Sequence, residues 1–587
     1  MRLVEIRLYE GPNVYRLEPV VKVEVAVGRG RAWEGSRTPT GSALVHLGRP
    51  VPSRDWPDDV TDLVAWARRL RADHGETGGA VAVHRASDAG RWVVTWPWSG
   101  AERSRLIAEA AYDLASRSVH PGRRVRLTGT QQRALERWTE RISGARATPP
   151  SWIRDSERRM PVVSITGTNG KSTVTRLITH ILLRAGHHVG TTTSDGILVD
   201  ERMIDAGDWT GPGGAAAILK RSDVDVAVLE TARGGLVLKG MGYESNEASV
   251  FTNVSSDHLD LQGIHTLPEL AEVKSTVCRV TRADGWVVLN ADDPYVAAVA
   301  RRVRARVAFF SIRPDPPAVL VRHLRDGGRA FVLRRDRLVE LEGDEAHELL
   351  DVADLPIALG GLARHNVANS LAAAGGARGL GASREQVAEG LRDFRPSADL
   401  SPGRMNLFRL GRRTVIVDFA HNEAGTTAIL DVADGIAGGA AGRAAPITVI
   451  IGTAGDRPDD TLRGIGRIAA QRAQRIVIKE TLGYLRGRER ENVVRTILDG
   501  VAEGGVNPSS VRVYDSEVAA LEGELTGSGA ASSSNGRADA PRVVILFCHE
   551  QREDVFALLE RLGARQVDLT GEGLAALSPR LGDKRRG

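Results

Sequence analysis

The residues best equipped for chemistry lie in Ser164-Ile165-Thr166-Gly167-Thr168-Asn169-Gly170-Lys171-Ser172-Thr173, a glycine-rich turn. It follows an apolar β-branched run, Val162 to Thr166, and opens a helical pattern in which Val174, Leu177, Ile178, Ile181 and Leu182 fall on one face. Strand, glycine turn and amphipathic helix are the context of a phosphate loop. Backbone N–H groups at the helix N-terminus offer positive partial charge to phosphate oxygens, Lys171 adds a point charge, and the Ser172 hydroxyl can ligate Mg2+. The spacing departs from the general Gly-x-x-x-x-Gly-Lys form, because Ile165 stands where the first glycine would be and Gly-Thr-Asn-Gly-Lys-Ser replaces it. A second apolar run, Val224 to Leu229, ends on Glu230. Ligands of open α/β sheets bind beyond the carboxyl ends of strands, so Glu230 is placed for the metal. A third run, Ser249 to Val254, leads into Ser255-Ser256-Asp257-His258-Leu259-Asp260, and Lys274 follows His258 by sixteen residues in a helical pattern. Three polar clusters on one sheet edge point to a phosphorylated ligand held with a metal.

Lysine is scarce enough to be informative. The chain has seven lysines against 72 arginines, so a position that keeps lysine has a reason to prefer a flexible primary ammonium to a planar fork. Lys171 and Lys274 are two of the seven. The arginines themselves are scattered and not interleaved with aromatics, and the net charge is only +5, so nucleic acid is not the expected partner. Cys278 and Cys548 supply neither a disulfide framework nor a zinc site. No apolar run approaches the ~18 residues of a membrane span and no secretory signal opens the chain, so the expected setting is the cytoplasm, away from the membrane.

A length of 587 residues suggests several domains with independent cores. Residues 1–140 mix β-rich runs (Val20 to Val27, Trp92 to Trp96) with helical patterns (Val60 to Ala72, Ala101 to Ser116), which reads as an N-terminal α+β domain. Residues 141–160, with Thr148-Pro149-Pro150 and a charged stretch, read as an exposed linker. Over 161–398, short apolar runs (also Trp286 to Leu289 and Val307 to Phe310) alternate with helical periodicity, which predicts a largely parallel sheet. A second such series over 399–587 has strand candidates Thr414 to Asp418, Ile447 to Ile451, Arg475 to Lys479 and Val543 to Phe547. It reads as a C-terminal Rossmann-like α/β domain, interrupted by a Gly/Ser-rich surface loop at Thr526 to Asp539.

Gly167 to Ser172, Glu230, Asp257-His258, Lys274, Asn290 to Pro294, His365-Asn366 and Val417 to Asn422 together resemble the ordered motif set of the Mur ligases, ATP-dependent amide-forming enzymes. Within that family the wording of Thr191 to Gly196, Gly207 to Pro212, Leu229 to Gly235, Pro402-Gly403-Arg404 and Leu485 to Arg488 is similar to the C-terminal half of cyanophycin synthetases. Leu8 to Tyr15 is similar to their N-terminal domain. The ATP-grasp domain those enzymes carry between the two regions has no room in the linker here. The resemblance implies that Lys171 and the loop amides of Gly167, Thr168, Asn169 and Gly170 hold the β- and γ-phosphates of ATP, with Thr173 beside them. It implies Mg2+ on Ser172 and Glu230, a second Mg2+ on His258, and a carbamylated Lys274 as a further ligand. Asn366 would meet the adenine and Asp418 the ribose, with His421 nearby. Homo-oligomers are common among relatives.

The chemistry implied is attack of a substrate carboxylate on the γ-phosphate to give an acyl phosphate and ADP, followed by displacement of phosphate by an amine. Arg486 and Arg488, or Arg457, could grip a substrate carboxylate through paired N–H bonds. The expected partners are thus a carboxylate-bearing small molecule or peptide and an amino acid or other amine. Two other readings stand beside the ligase: a non-catalytic nucleotide-binding subunit of a separate ligase, and a phosphate-loop ATPase driving movement. The full set Lys171, Ser172, Glu230, His258 and Lys274 favours the ligase, since a scaffold needs no complete metal shell.

Overall fold

The computed structural model describes residues 1–28, 50–117, 129–256, 259, 261–398, 400–438, 445–526 and 541–569. Asp257, His258, Asp260 and nearly all of the Gly/Ser-rich segment lie outside them.

The N-terminal sheet is antiparallel, in the order Arg2–Tyr9, Val20–Ala26, Arg91–Pro97, Ala82–Arg85. Strand alternation sends Val21, Val23 and Val25 into a core with helices Asp58–Asp73 and Ala101–Ser116. The opposite face carries Lys22 and Glu24, both buried, where Lys22 pairs with Glu5 at 3.0 Å and Glu24 at 2.7 Å. This face is covered by the central region: the Tyr9 hydroxyl donates to the Val237 carbonyl at 2.9 Å and the Met241 N–H to Pro12 at 2.7 Å. The predicted linker is exposed over much of its length but is anchored at several points. Its start, Arg141 to Ser143, is the last turn of helix Gly129–Ser143. Farther on, Ser151 N–H donates to Glu10, Ile153 pairs with Gly242 and Glu244, and Arg158 is held by Glu247 and Asp155.

The central sheet has eleven strands among the described residues. Seven are mutually parallel, in the order Val189–Thr192, Val226–Glu230, Val162–Thr166, Asn246–Phe251, Thr281–Asn290, Arg306–Ser311, Arg329–Arg334. Antiparallel hairpin strands extend both edges. Strand order reverses around Val162–Thr166, and at such a switch point the loops leaving neighbouring strands diverge and open a crevice. The phosphate loop, the Glu230 loop and the Asn253 loop all leave the sheet there. Helix Arg364–Gly379 lies tight against the sheet because Gly375 and Gly376 take no space: a Cβ at either would stand 2.7 Å from Val288 or 2.6 Å from Ile178. That close approach carries Asn366 and Asn369 to the phosphate loop.

The C-terminal sheet runs Arg512–Tyr514, Arg475–Lys479, Ile447–Ile451, Arg542–Phe547, Arg413–Asp418, then Asn406–Leu410 and Arg565–Gln566. Its first five strands are parallel, Asn406–Leu410 runs antiparallel to them, and Arg565–Gln566 pairs antiparallel with Asn406–Leu410. Asp418 ends a strand facing the central crevice, as the sequence pattern predicts. No helix among the described residues is long and apolar enough to cross a membrane.

Candidate active site

Between the central and C-terminal sheets lies a cleft of about 1160 Å3. It is lined by the whole turn Gly167 to Thr173 and by Glu230, Lys274, Asn366, Asp418 and His421, so the described site candidates share one cavity.

The turn is fixed by backbone geometry. Gly167 and Gly170 have φ of +147° and +84°, and a Cβ on Gly170 would stand 2.3 Å from Asn369 Oδ1. Thr168 N–H donates to the Asn253 carbonyl at 2.8 Å and Asn169 N–H to Asn253 Oδ1 at 2.9 Å. Helix Lys171–Arg184 then begins with Gly170 as its N-cap, a residue without a side chain to satisfy the first helical N–H groups, which therefore face the cleft. Gly170→Ala should cost at least about 1 kcal/mol from the left-handed backbone alone. It should also abolish nucleotide binding, which thermal melting and an ADP titration would read separately.

Charge is distributed on both walls. Lys171 Nζ donates to the Thr168 carbonyl at 2.9 Å, and Lys274, 4% exposed, donates to the Gly167 carbonyl at 2.5 Å. Glu230 is buried at the end of its strand, and its Oε2 has no hydrogen-bond partner among the described residues. Burial pushes its pKa up, against the opposing pull of Lys171 and the Ser172 hydroxyl. A buried carboxylate oxygen without a partner, beside a serine hydroxyl at a phosphate loop, is a donor set suited to Mg2+. The described residues contain no cluster of three or more His, Cys, Asp or Glu that could hold a metal by itself.

The C-terminal wall contributes what the sequence motifs did not assign. Arg404 Nη2 lies 3.5 Å from Ser172 Oγ and 3.3 Å from Ser194 Oγ, with its guanidinium 4.4 Å from the centre of the Phe419 ring. Asp195 is buried between Arg176 at 2.9 Å and Arg552 at 2.5 Å, and these with Arg404 hold its pKa down to about 2 despite burial. Arg176 also donates to the Leu400 carbonyl, and Arg552 to Pro402 at 3.3 Å, so the segment joining the two walls is held from both sides. Across the cleft, Asn422 Nδ2 donates to Asn169 Oδ1 at 3.0 Å while Asn422 Oδ1 caps helix Glu423–Ala437. Pro402-Gly403-Arg404, Val417 to Asn422 and Thr191 to Gly196, which contains Asp195, stood out as motifs, but nothing local marks Arg552.

Two expectations gain detail. Asn366 lines the cleft while donating to the Ile357 carbonyl at 3.1 Å and accepting from Asn369 at 3.1 Å. Arg488 donates to the Arg457 carbonyl, Asp459 and Thr496, so it braces its own loop, whereas Arg457 and Arg486 line the cleft. The half-buried His365 at the cleft wall has its pKa lowered to about 4 by burial and is neutral near pH 7.

Burial also raises the Asp418 pKa to about 6, against Arg404 and the N–H groups of Met405 and Ala420. Because the folded value lies above the unfolded one, the neutral acid favours the native state. That contribution is complete below the ordinary aspartate range and is lost as pH rises through about 6. Asp418→Asn should therefore remove a fall in melting temperature between about pH 4 and 6.

The Mur ligase middle domain model matches residues 165–377. Over 347 residues the chain is 41% identical to cyanophycin synthetase of Crocosphaera subtropica, covering 59% of this chain and 39% of that protein. Over 358 residues it is 30% identical to UDP-N-acetylmuramoyl-L-alanyl-D-glutamate–2,6-diaminopimelate ligase of Alkalilimnicola ehrlichii, covering 60% of this chain and 66% of that one. The chain thus spans about 40% of the length of the cyanophycin synthetases it matches. Among solved structures, E. coli FolC in complex with DHPP and ADP is 16% identical, with a TM-score of 0.48 over 68% of this chain and 89% of that one.

Proposed function

Since residues 165–377 match the Mur ligase middle domain, we propose that the chain is an ATP-dependent ligase joining a carboxylate to an amine, with release of ADP and phosphate. The observation that carries this reading is the meeting, in one cleft, of the phosphate loop, the partnerless Glu230 carboxylate oxygen and a guanidinium, Arg404, supplied from the opposite wall.

ATP enters with its β- and γ-phosphates over the N-terminus of helix Lys171–Arg184, where backbone N–H groups and Lys171 receive them. The ribose faces Asp418 and His421, and the base lies toward Asn366. Ser172 and Glu230, with His258, would hold Mg2+, which when bound neutralises phosphate charge. Lys274 in its amine form adds positive charge behind the loop; carbamylated, it would become a further ligand. As the substrate carboxylate attacks, Lys171 and Arg404 face the charge that develops on the transferred group. Arg457 and Arg486, the latter paired with Asp456 at 2.6 Å, line the cleft and are the groups proposed to grip a carboxylate of either substrate. The Asn169–Asn422 pair and the Asp195–Arg552 pair keep the two walls together, which excludes water from the acyl phosphate until the amine arrives.

The reading is tested by incubating the protein with Mg2+, ATP and pools of amino acids and dipeptides, read by mass. A product at the summed mass of two pool members less one water, in step with ADP, supports it. ADP release without any condensed product favours the motor reading, and nucleotide binding without turnover favours the non-catalytic subunit.

A further inference from the structure

Lys479 is 1% exposed, in a chain that supplies nearly all its positive charge as arginine. It ends strand Arg475–Lys479, and its ammonium lies 2.6 Å from Glu517 Oε1 and 2.8 Å from His549 Nδ1. An ammonium has donors only. His549 Nδ1 must therefore accept, which puts the ring proton on Nε2, and Nε2 donates to the Ala420 carbonyl at 3.1 Å. Glu517, fully buried, gathers the remaining donors: the N–H groups of His549 at 2.6 Å, Gln551 at 2.8 Å and Glu550 at 3.1 Å, and Cys548 Sγ at 3.1 Å. Burial, with Lys479, His421 and Arg457 nearby, holds the His549 pKa well below its ordinary value, so the ring is neutral. A guanidinium is too broad, and its donors too coplanar, to serve both partners in that enclosed space.

Two contacts lead from this imidazole to the phosphate loop. The ring meets Phe419 edge-on with centroids 4.9 Å apart, and Phe419 carries Arg404, which reaches Ser172. Through Ala420 the ring holds the turn whose Asn422 bonds Asn169. None of the proposed catalytic groups is touched directly, so any effect of His549 passes through geometry.

We propose that His549, fixed by Lys479 as its Nε2–H tautomer, is a positioning residue that sets the Phe419 to Asn422 turn and the Arg404 guanidinium against the phosphate loop. The kinetic part rests on the ligase reading above; the tautomer does not. The full-length protein labelled with 15N at histidine, with His549→Gln to assign its signals, should show a neutral Nε2–H ring that does not titrate where a free imidazole does. An Nδ1–H ring, or an imidazolium forming at the ordinary value, overturns the proposal even if the protein proves not to be a ligase. In turnover, His549→Ala should lower kcat about tenfold, the scale of outer-shell losses, with the amine KM unchanged. His549→Gln, which keeps an N–H for the Ala420 carbonyl, should recover most of that loss. Equal losses in the two variants, or none in either, would contradict the positioning role.

Discussion

Lys171→Ala will abolish release of ADP and phosphate while leaving the protein folded. The Lys171 ammonium makes a hydrogen bond to Thr168 inside its own turn, so the native fold asks little of it. Alanine at the first position of helix Lys171–Arg184 is at least as good a helix former. For the reaction the balance is different. In a partly desolvated cleft a point charge on the γ-phosphate is worth several kcal/mol in the transition state, so the rate should fall on the order of a thousandfold. Lys171→Arg should recover little, because the planar fork cannot follow the transferring group as a flexible ammonium does. A coupled assay for ADP, with circular dichroism as the control for folding, reads both halves of this expectation.

Glu230→Gln should move activity and stability in opposite directions. The wild-type carboxylate is buried, its pKa is raised by that burial, and one oxygen lacks a partner, so the folded state bears a cost whenever the group is ionised. Glutamine keeps the shape and removes the charge. The melting temperature at neutral pH should rise, by a free energy of about 1 kcal/mol, the scale of an uncompensated buried polar group. The wild-type disadvantage should vanish as pH falls and Glu230 protonates, so the two proteins converge in acid. The same substitution removes a charged Mg2+ ligand, and turnover should fall at least about a hundredfold. A residue kept at the expense of stability is expected where it serves the reaction. If Glu230→Gln instead lost stability and kept its rate, the carboxylate would be a structural element and the metal would lie elsewhere.

How legible the site was depended on how local its parts are. Strand Val162–Thr166, the glycine turn and helix Lys171–Arg184 are contiguous, so periodicity and a few residue types suffice to find them. Most parallel strands were readable as short β-branched runs because burial on both faces leaves no alternation to decode, but Val189–Thr192, Arg329–Arg334 and Arg512–Tyr514 were not singled out. The edge hairpins were not. Two of their turns, Asp200-Glu201 and Arg335-Asp336, adopt positive φ without the glycine or asparagine that usually marks such turns, whereas Gly343-Asp344 in another does carry glycine. The groups that bring the two walls together were the hardest. Asp195 and Arg552 lie 357 residues apart and meet only because two separate sheets pack against one another. Arg457, Arg486 and Arg488 stayed alternatives for a related reason: among 72 arginines, residue type cannot tell a guanidinium aimed at a ligand from one bracing its own loop, as Arg488 does. Lysine was the better guide, since Lys171 and Lys274, singled out by the scarcity of lysine, both line the cleft.

The most direct measurement is a 31P NMR time course of the protein turning over Mg-ATP with a competent carboxylate and amine. The account predicts ADP and orthophosphate accumulating in equal amounts, because the proposed binding mode sets the γ-phosphate between the phosphate loop and Arg404. Accumulation of AMP and pyrophosphate would place the attack on the α-phosphate and contradict it.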